Sequence, residues 1–241
     1  MKRKLTLLVC LLIALLSAPH APIVKAERAL AQCVAGRTAA PVGFWTWPAN
    51  SRVNVYLRTP DFVEGDAAAI KTALQNWDLA AIENGSNVHF TFQGMTKELK
   101  TSQGDLTLLR KAVYSKKERH LGLLEAHSLR SDQLIDWALV IVDPRVKEGN
   151  VLTNVMAHEI GHSLGLLDCY RCHSGTTAMG LLKSADESNG IEGPTTCDKI
   201  GVLAAYQELK QHVGRAPAPL PPAEAADTSE DAEADDTPIK P

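Results

Sequence analysis

Aromatic side chains are scarce in this 241-residue chain, at 5% of the total. A core must therefore be assembled from Leu, Val, Ile and Ala rather than around large rings. Long apolar runs are nearly absent too. Residues 5–16 form one, and about a dozen residues fall short of the ~20 that a membrane-spanning helix needs. Beyond the N-terminus there is no stripe of basic residues, and 25 Lys and Arg are outnumbered by 28 Asp and Glu. With no Arg-plus-aromatic module either, nothing supports a nucleic-acid partner. Cysteine is limited to five residues, and no segment repeats. What is left is the composition of an ordinary globular domain, 45% hydrophobic and 22% charged.

The first signal present is one for export. Lys2, Arg3 and Lys4 give a positive start, residues 5–16 an apolar segment, and Val24-Lys25-Ala26 small residues for cleavage before Glu27. Residues 1–26 therefore read as a signal peptide. The competing reading, an uncleaved N-terminal anchor, is weakened by the shortness of the apolar segment, so no stable membrane span is expected after cleavage. Cys10 lies inside that segment in a poor lipoprotein context. Losing residues 1–26 removes four positive charges and no negative ones, moving the formal net charge from −3 to −7. It also leaves an even set of cysteines: Cys33, Cys169, Cys172 and Cys197. In an oxidising compartment, whether periplasmic or extracellular, an even set favours disulfides.

Residues 27–50 form a lead-in, and the periodic segments begin at 51. Alternation predicts strands over 52–57 and 88–92, with further strands over 105–113 and 120–126. The near-continuous apolar run 137–142 suits a buried central strand. Asp66 is placed to cap a helix over 67–82, whose Ile70, Ala73, Leu74, Trp77 and Ala81 share a face and which Gly85 ends. A second helix is expected from about Asn150 to Leu164. A last helix over 196–213 should turn Ile200, Leu203, Ala204 and Leu209 inward. The stretch 166–194 reads as loop. Residues 215–241 hold six of the 13 prolines, seven acidic residues and no aromatics, so a disordered acidic tail is expected. Asn84-Gly85-Ser86 is a glycosylation sequon, relevant only in a eukaryotic secretory pathway.

The chemistry concentrates at His158-Glu159-Ile160-Gly161-His162 and the six residues after it. Four residues rotate a helix by about 400°, so both imidazoles leave one face a turn apart and reach a single metal. Glu159 projects about 100° away and borders the metal without ligating it, the position of a proton shuttle. A third ligand ten residues past His158 would lie about 15 Å along a straight helix. The chain must turn back, and Gly165 can adopt the left-handed conformation this requires. Asp168 is then a third ligand, and a carboxylate oxygen binds zinc at ~2.0–2.2 Å. Incidental histidines on a surface helix are the bland alternative. Two others are a third ligand far downstream, Glu187 or Glu192, and a structural zinc site of Cys169, Cys172, His173 and Cys197. Oxidised cysteines would preclude the latter.

This stretch resembles the signature of the metzincin clan of zinc peptidases, and the order of elements over about 50–214 is matrixin-like. The resemblance implies an α+β fold: a metzincin-like catalytic domain (51–214) with a twisted, mostly parallel sheet and packed helices. An active-site helix, a Met-turn and a C-terminal helix complete it. It implies one catalytic Zn2+ on His158, His162 and Asp168, the Asp having a precedent in the snapalysin-like branch. Glu159 becomes the general base, and Met179 of Thr177-Ala178-Met179-Gly180 the Met-turn residue. Structural Ca2+ is compatible with the resemblance, though no sequence feature marks a site.

The activity implied is that of a secreted zinc metalloendopeptidase, a hydrolase that cleaves peptide bonds with a zinc-activated water. Its partner is a protein or peptide substrate, paired to an edge strand near residues 120–126. Oligomeric state is not indicated. Matrixin propeptides often block the zinc through a cysteine in a Pro-Arg-Cys-Gly context. Ala31-Gln32-Cys33-Val34-Ala35 departs from it, so a disulfide is expected for Cys33. A bond from Cys169 or Cys172 to Cys197 would staple the loop to the last helix, although spacing leaves the pairing open. The rival function is an exported binding domain that keeps the fold without catalysis, which an intact Glu159 disfavours.

Overall fold

β-branched and alternating segments supply the strands. The computed structural model describes residues 33–113, 121–129, 133–147, 149–173, 175–180 and 191–213. The expected signal peptide (1–26) and acidic tail (215–241) lie outside the described residues, as do His120 and Glu187. Seven strands are described: β1 (Val42–Thr46), β2 (Arg52–Arg58), β3 (His89–Thr96), β4 (Asp105–Arg110), β5 (Gly122–His127), β6 (Trp137–Val142) and β7 (Leu164–Leu166). Three helices join them: α1 (Glu64–Ala80), α2 (Asn150–Ser163) and α3 (Thr196–Val213).

Five strands form one sheet in the order β3-β2-β4-β6-β5. The first four run parallel, and β5 runs antiparallel to β6 along the edge. This is an α+β fold with a mixed, mostly parallel sheet. β1 and β7 make a separate antiparallel pair. The central strand β4 is buried at five successive positions, as a strand covered on both faces must be. Val53, Val55 and Leu57 of β2 and Val140 of β6 are fully buried with Ile70 and Trp77 of α1 and with Leu152, Met156 and Ile160 of α2. Each such aliphatic side chain contributes roughly 1.5–3 kcal/mol relative to exposure. The Trp77 indole N–H donates to the Ala157 carbonyl at 2.9 Å, which fixes α1 against the helix that carries both histidines.

Several expectations shift. The helix begins at Glu64, with Val63 rather than Asp66 at the cap. Asp66 instead accepts the Val63 N–H from within the first turn and pairs with Arg110. On α3 the buried residues are Asp198, Gly201, Val202, Ala205 and Tyr206, while Leu203 is 37% exposed. The inward face is rotated by about one residue because it is built from polar and small groups. The Tyr206 hydroxyl donates to the Trp47 carbonyl, and a Cβ on Gly201 would sit 2.8 Å from Leu166 Cδ2. β1 and β7 are strands where sequence patterning showed none. Asn84 of the sequon is fully buried, its side-chain oxygen accepting the Ser86 N–H and hydroxyl, so the folded chain does not present it for modification.

The disulfides are Cys33–Cys197 and Cys169–Cys172. It is therefore the lead-in, rather than the 169–172 turn, that is stapled to α3. No helix among the described residues is long and apolar enough to cross a membrane, and the disulfides suit an oxidising, extracytoplasmic compartment.

Gly165 holds φ at +89°, and a Cβ there would lie 2.8 Å from Ala205 Cβ and 2.9 Å from Thr46 Cγ2. Gly165→Ala combines backbone strain with overpacking, so it should cost about 2–4 kcal/mol. Thermal unfolding of the variant checks this, and an unchanged Tm would show that the turn tolerates a side chain.

Candidate metal and catalytic site

α2 carries His158, Glu159 and His162 and ends at Ser163, where the Leu164 N–H bonds back to the carbonyls of Gly161 and His162. Gly165 then reverses the chain, and Asp168 returns to the histidine face. Asp168 Oδ1 lies 3.0 Å from His158 Nε2 and 3.6 Å from His162 Nε2. The three donor atoms all fall within 4.8 Å of one another. Ligand atoms placed tetrahedrally at zinc distances are about 3.3 Å apart, so these side chains need only small adjustments to share one ion.

The far side of each ring supports the same reading. His158 Nδ1 is 2.9 Å from the Ala178 carbonyl, and His162 Nδ1 is 2.8 Å from the Leu166 carbonyl. A carbonyl only accepts, so each Nδ1 carries a proton and each Nε2 faces Asp168. Metal-ligating histidines are oriented by this kind of outer hydrogen bond. The donor set is two imidazoles and one carboxylate, a set that suits Zn2+. The residues present fit such an ion.

Two pKa shifts describe the metal-free protein. Burial works against charge on His162. The Asp168 hydrogen bond, the negative charge of Glu159, the Leu166 carbonyl and the Asp168 charge outweigh it, and the pKa rises to about 9. Burial also opposes charge on Asp168, yet hydrogen bonds and charge from His158 and His162 hold it well below the usual carboxylate range.

Glu159 is 3% exposed and stands beside the edge strand. A Cβ on Gly122 would overlap its carboxylate, so β5 approaches the site closely because position 122 has no side chain. Both flank a cavity of about 470 Å³ that His158, His162 and Asp168 also line. Met179 is fully buried beneath α2, where its sulfur fills the space a side chain at Gly161 would take.

Sequence reasoning missed three supports. The Tyr170 hydroxyl donates to Asp168 Oδ2 at 3.1 Å, leaving Oδ1 toward the histidines. Asp198, buried in the first turn of α3, accepts the Thr177 hydroxyl, the Ala178 N–H and the Thr195 N–H. It thereby clamps the turn whose Ala178 carbonyl orients His158. Gly122 is the third. A tyrosine two residues past Asp168, the third ligand position, was a readable signal. Asp198, one residue from a cysteine, and Gly122, within an unremarkable strand, gave none.

The other candidates lie elsewhere. Cys33 is bonded to Cys197 and has no thiol to offer a metal. All three cysteines of the alternative structural site, Cys169, Cys172 and Cys197, are in disulfides. Glu192 lies against α1, its carbonyl accepting the Asn76 amide.

No protein-family model matches this chain, and no curated protein matches it. Among solved structures, metalloproteinase-II from Bacteroides fragilis is similar at 13% identity and a TM-score of 0.41. The match covers 74% of this chain and 60% of that one, so the chain spans less than two thirds of that protein's length.

The two pKa shifts set a stability window for the metal-free protein. A raised His162 pKa stabilises the fold fully below pH 6.5, and the contribution is lost as pH climbs through about 9. A depressed Asp168 pKa stabilises it above about pH 3.8, and the contribution is lost as pH falls. In EDTA, the Tm advantage of wild type over Asp168→Asn should be largest near pH 5–6 and shrink as pH rises through 9. A pH-independent difference would refute the ion pair.

Proposed function

We propose that the chain is an exported zinc metalloendopeptidase of the metzincin type, matrixin-like with an aspartate as third ligand. One observation carries the reading. Both Nε2 atoms face Asp168 Oδ1 while both Nδ1 atoms are held by backbone carbonyls, in a cavity that Glu159 shares. His158, His162 and Asp168 would hold the ion, and Met179 forms the Met-turn residue beneath it. Bound Zn2+ would supply Lewis-acid polarisation of a scissile carbonyl and acidify the attacking water.

The chain's own residues do the rest. Glu159 accepts the proton of the attacking water and delivers it to the leaving amine. Burial beside Gly122 holds its carboxylate at one wall of the cavity. Among the described residues β5 has one hydrogen-bonded neighbour, β6, and Gly122, Leu123, Leu124 and Ala126 of β5 line the cavity, so an extended peptide adds there as a further strand. Tyr170 keeps Asp168 turned toward the histidines.

Glu159→Gln tests the proposal. It should retain zinc by metal analysis while casein hydrolysis falls about 10²–10⁴-fold, and Asp168→Asn should bind zinc more weakly. Full activity in Glu159→Gln would overturn the mechanism. Wild type that binds zinc yet cleaves no unfolded protein would instead favour a non-catalytic binding domain.

A further inference from the structure

Cys169 and Cys172 are bonded to each other three residues apart, directly after Asp168. A cross-link that encloses so few residues restrains the unfolded chain far less than a long one does. Cys33–Cys197, at a separation of 164, is the bond placed for global stability. The short ring is placed for local geometry.

The ring encloses Tyr170 and Arg171. Tyr170 is 67% exposed, so packing does little to place it, yet its hydroxyl donates to Asp168 Oδ2 at 3.1 Å. The other oxygen, Oδ1, is the one 3.0 Å from His158 Nε2. The backbone is tied down on both sides of the ring. The Cys169 N–H donates to the Met179 carbonyl at 2.9 Å, and the His173 N–H to the Arg37 carbonyl at 3.1 Å. Between these anchors the disulfide sets the path of residues 170 and 171. Its sulfurs lie 3.7 and 3.5 Å from the Ala39 carbonyl oxygen, so the lead-in covers the bond on one side. Cys169 is 2% exposed, whereas Cys172 is half-buried and presents the reachable sulfur. Two cysteines with two residues between them also have the spacing of disulfides that open and close reversibly.

We infer that closing Cys169–Cys172 is a redox step that completes the metal site: with both thiols open, Tyr170 no longer holds Asp168 in register with the histidines, and the metal is retained poorly. The inference rests on the exported zinc-peptidase reading for its ion and its compartment. In a reducing compartment the thiols stay open. In an oxidising one, the Cys172 thiolate attacks a sulfur of a disulfide oxidant and forms a mixed disulfide. The Cys169 thiolate then attacks Cys172 Sγ and expels the oxidant as a dithiol. Two electrons pass from the cysteine pair to the oxidant, and the two cysteine protons end on its sulfurs. A peptidase built this way does not hold its metal firmly where it is synthesised.

The test measures Zn2+ affinity of the full chain, oxidised to both disulfides, by competition with a chromogenic chelator. Cys169→Ser/Cys172→Ser, which keeps Cys33–Cys197, should bind Zn2+ about 10–100-fold more weakly, the effect of losing a partner of a metal ligand. Its metal-free Tm should fall less than that of Cys33→Ser/Cys197→Ser. Tyr170→Phe in the oxidised chain should weaken binding to a similar degree, and adding it to the double serine variant should weaken binding little further. Equal Zn2+ affinity with and without the ring would overturn the inference and leave the peptidase reading intact. Losses that add in full would show that the ring does not act through Tyr170, and would overturn it as well. If Zn2+ affinity depends on the ring but the loaded chain cleaves no unfolded protein, the peptidase reading falls alone. If the oxidised chain binds no Zn2+, both fall. Should the double variant fail to fold, Cys172→Ser, altered only at the half-buried position, decides the comparison.

Discussion

The reversal of the chain at Gly165 is the constraint on which the rest depends. A straight continuation of α2 would carry Asp168 away from both histidines. At φ +89°, with Thr46 and Ala205 filling the space where a Cβ would be, the chain can turn here and nothing larger than glycine fits. The same turn delivers three other contacts. It presents the Leu166 carbonyl to His162, starts β7 along β1, and lays Leu167 over Gly43. Closing the site and building one wall of the cleft are thus consequences of one backbone conformation.

Around that turn, orientation is passed inward through the backbone rather than through long side chains. Asp198 fixes Thr177 and Ala178, the Ala178 carbonyl fixes His158, and His158 meets Asp168. Asp198 is fully buried, and a buried carboxylate is tolerable only with such hydrogen bonds in place. α3 and its disulfide to Cys33 are therefore coupled mechanically to the histidine geometry, although no atom of α3 lies among the three ligand-type groups. On the opposite flank, Trp77 holds α2 through Ala157. A glycine inside a helix costs up to about 1 kcal/mol, and at Gly161 this makes room for Met179.

The legible parts were those where a period or a spacing carries geometry. His158 and His162 four apart, Gly165 before Asp168, the strand β6 and the span of α3 all follow from the helical repeat, the pleat or glycine's freedom. The illegible parts lacked such a marker. β1 contains Gly43 and two Trp-flanked positions rather than an alternating pattern, and its pairing partner is a three-residue strand that only the Gly165 turn creates. The inward face of α3 was misplaced because Asp198, Gly201 and Tyr206 do not look like core residues until their partners are known. Asp66 looks like a cap, yet its second oxygen answers to Arg110, 44 residues away. Disulfide pairing depends on which segments meet in space, and spacing holds no record of that.

The charge arrangement at the site supports the same assignment by an independent route. Two carboxylates, Glu159 and Asp168, face two imidazoles in a half-buried space where burial disfavours any uncompensated charge. In the metal-free protein the surplus negative charge is offset by keeping a proton on His162, up to about pH 9 despite the burial that opposes it. The proton is held by the field of the surrounding carboxylates, and that field acts on any cation at the same point. His158, His162 and Asp168 would hold a dication in place of that proton through both Nε2 atoms and a carboxylate oxygen, with both Nδ1 hydrogen bonds kept. The hydrogen-bonded frame would therefore serve as the metal-binding frame, and loading it would require proton release rather than refolding.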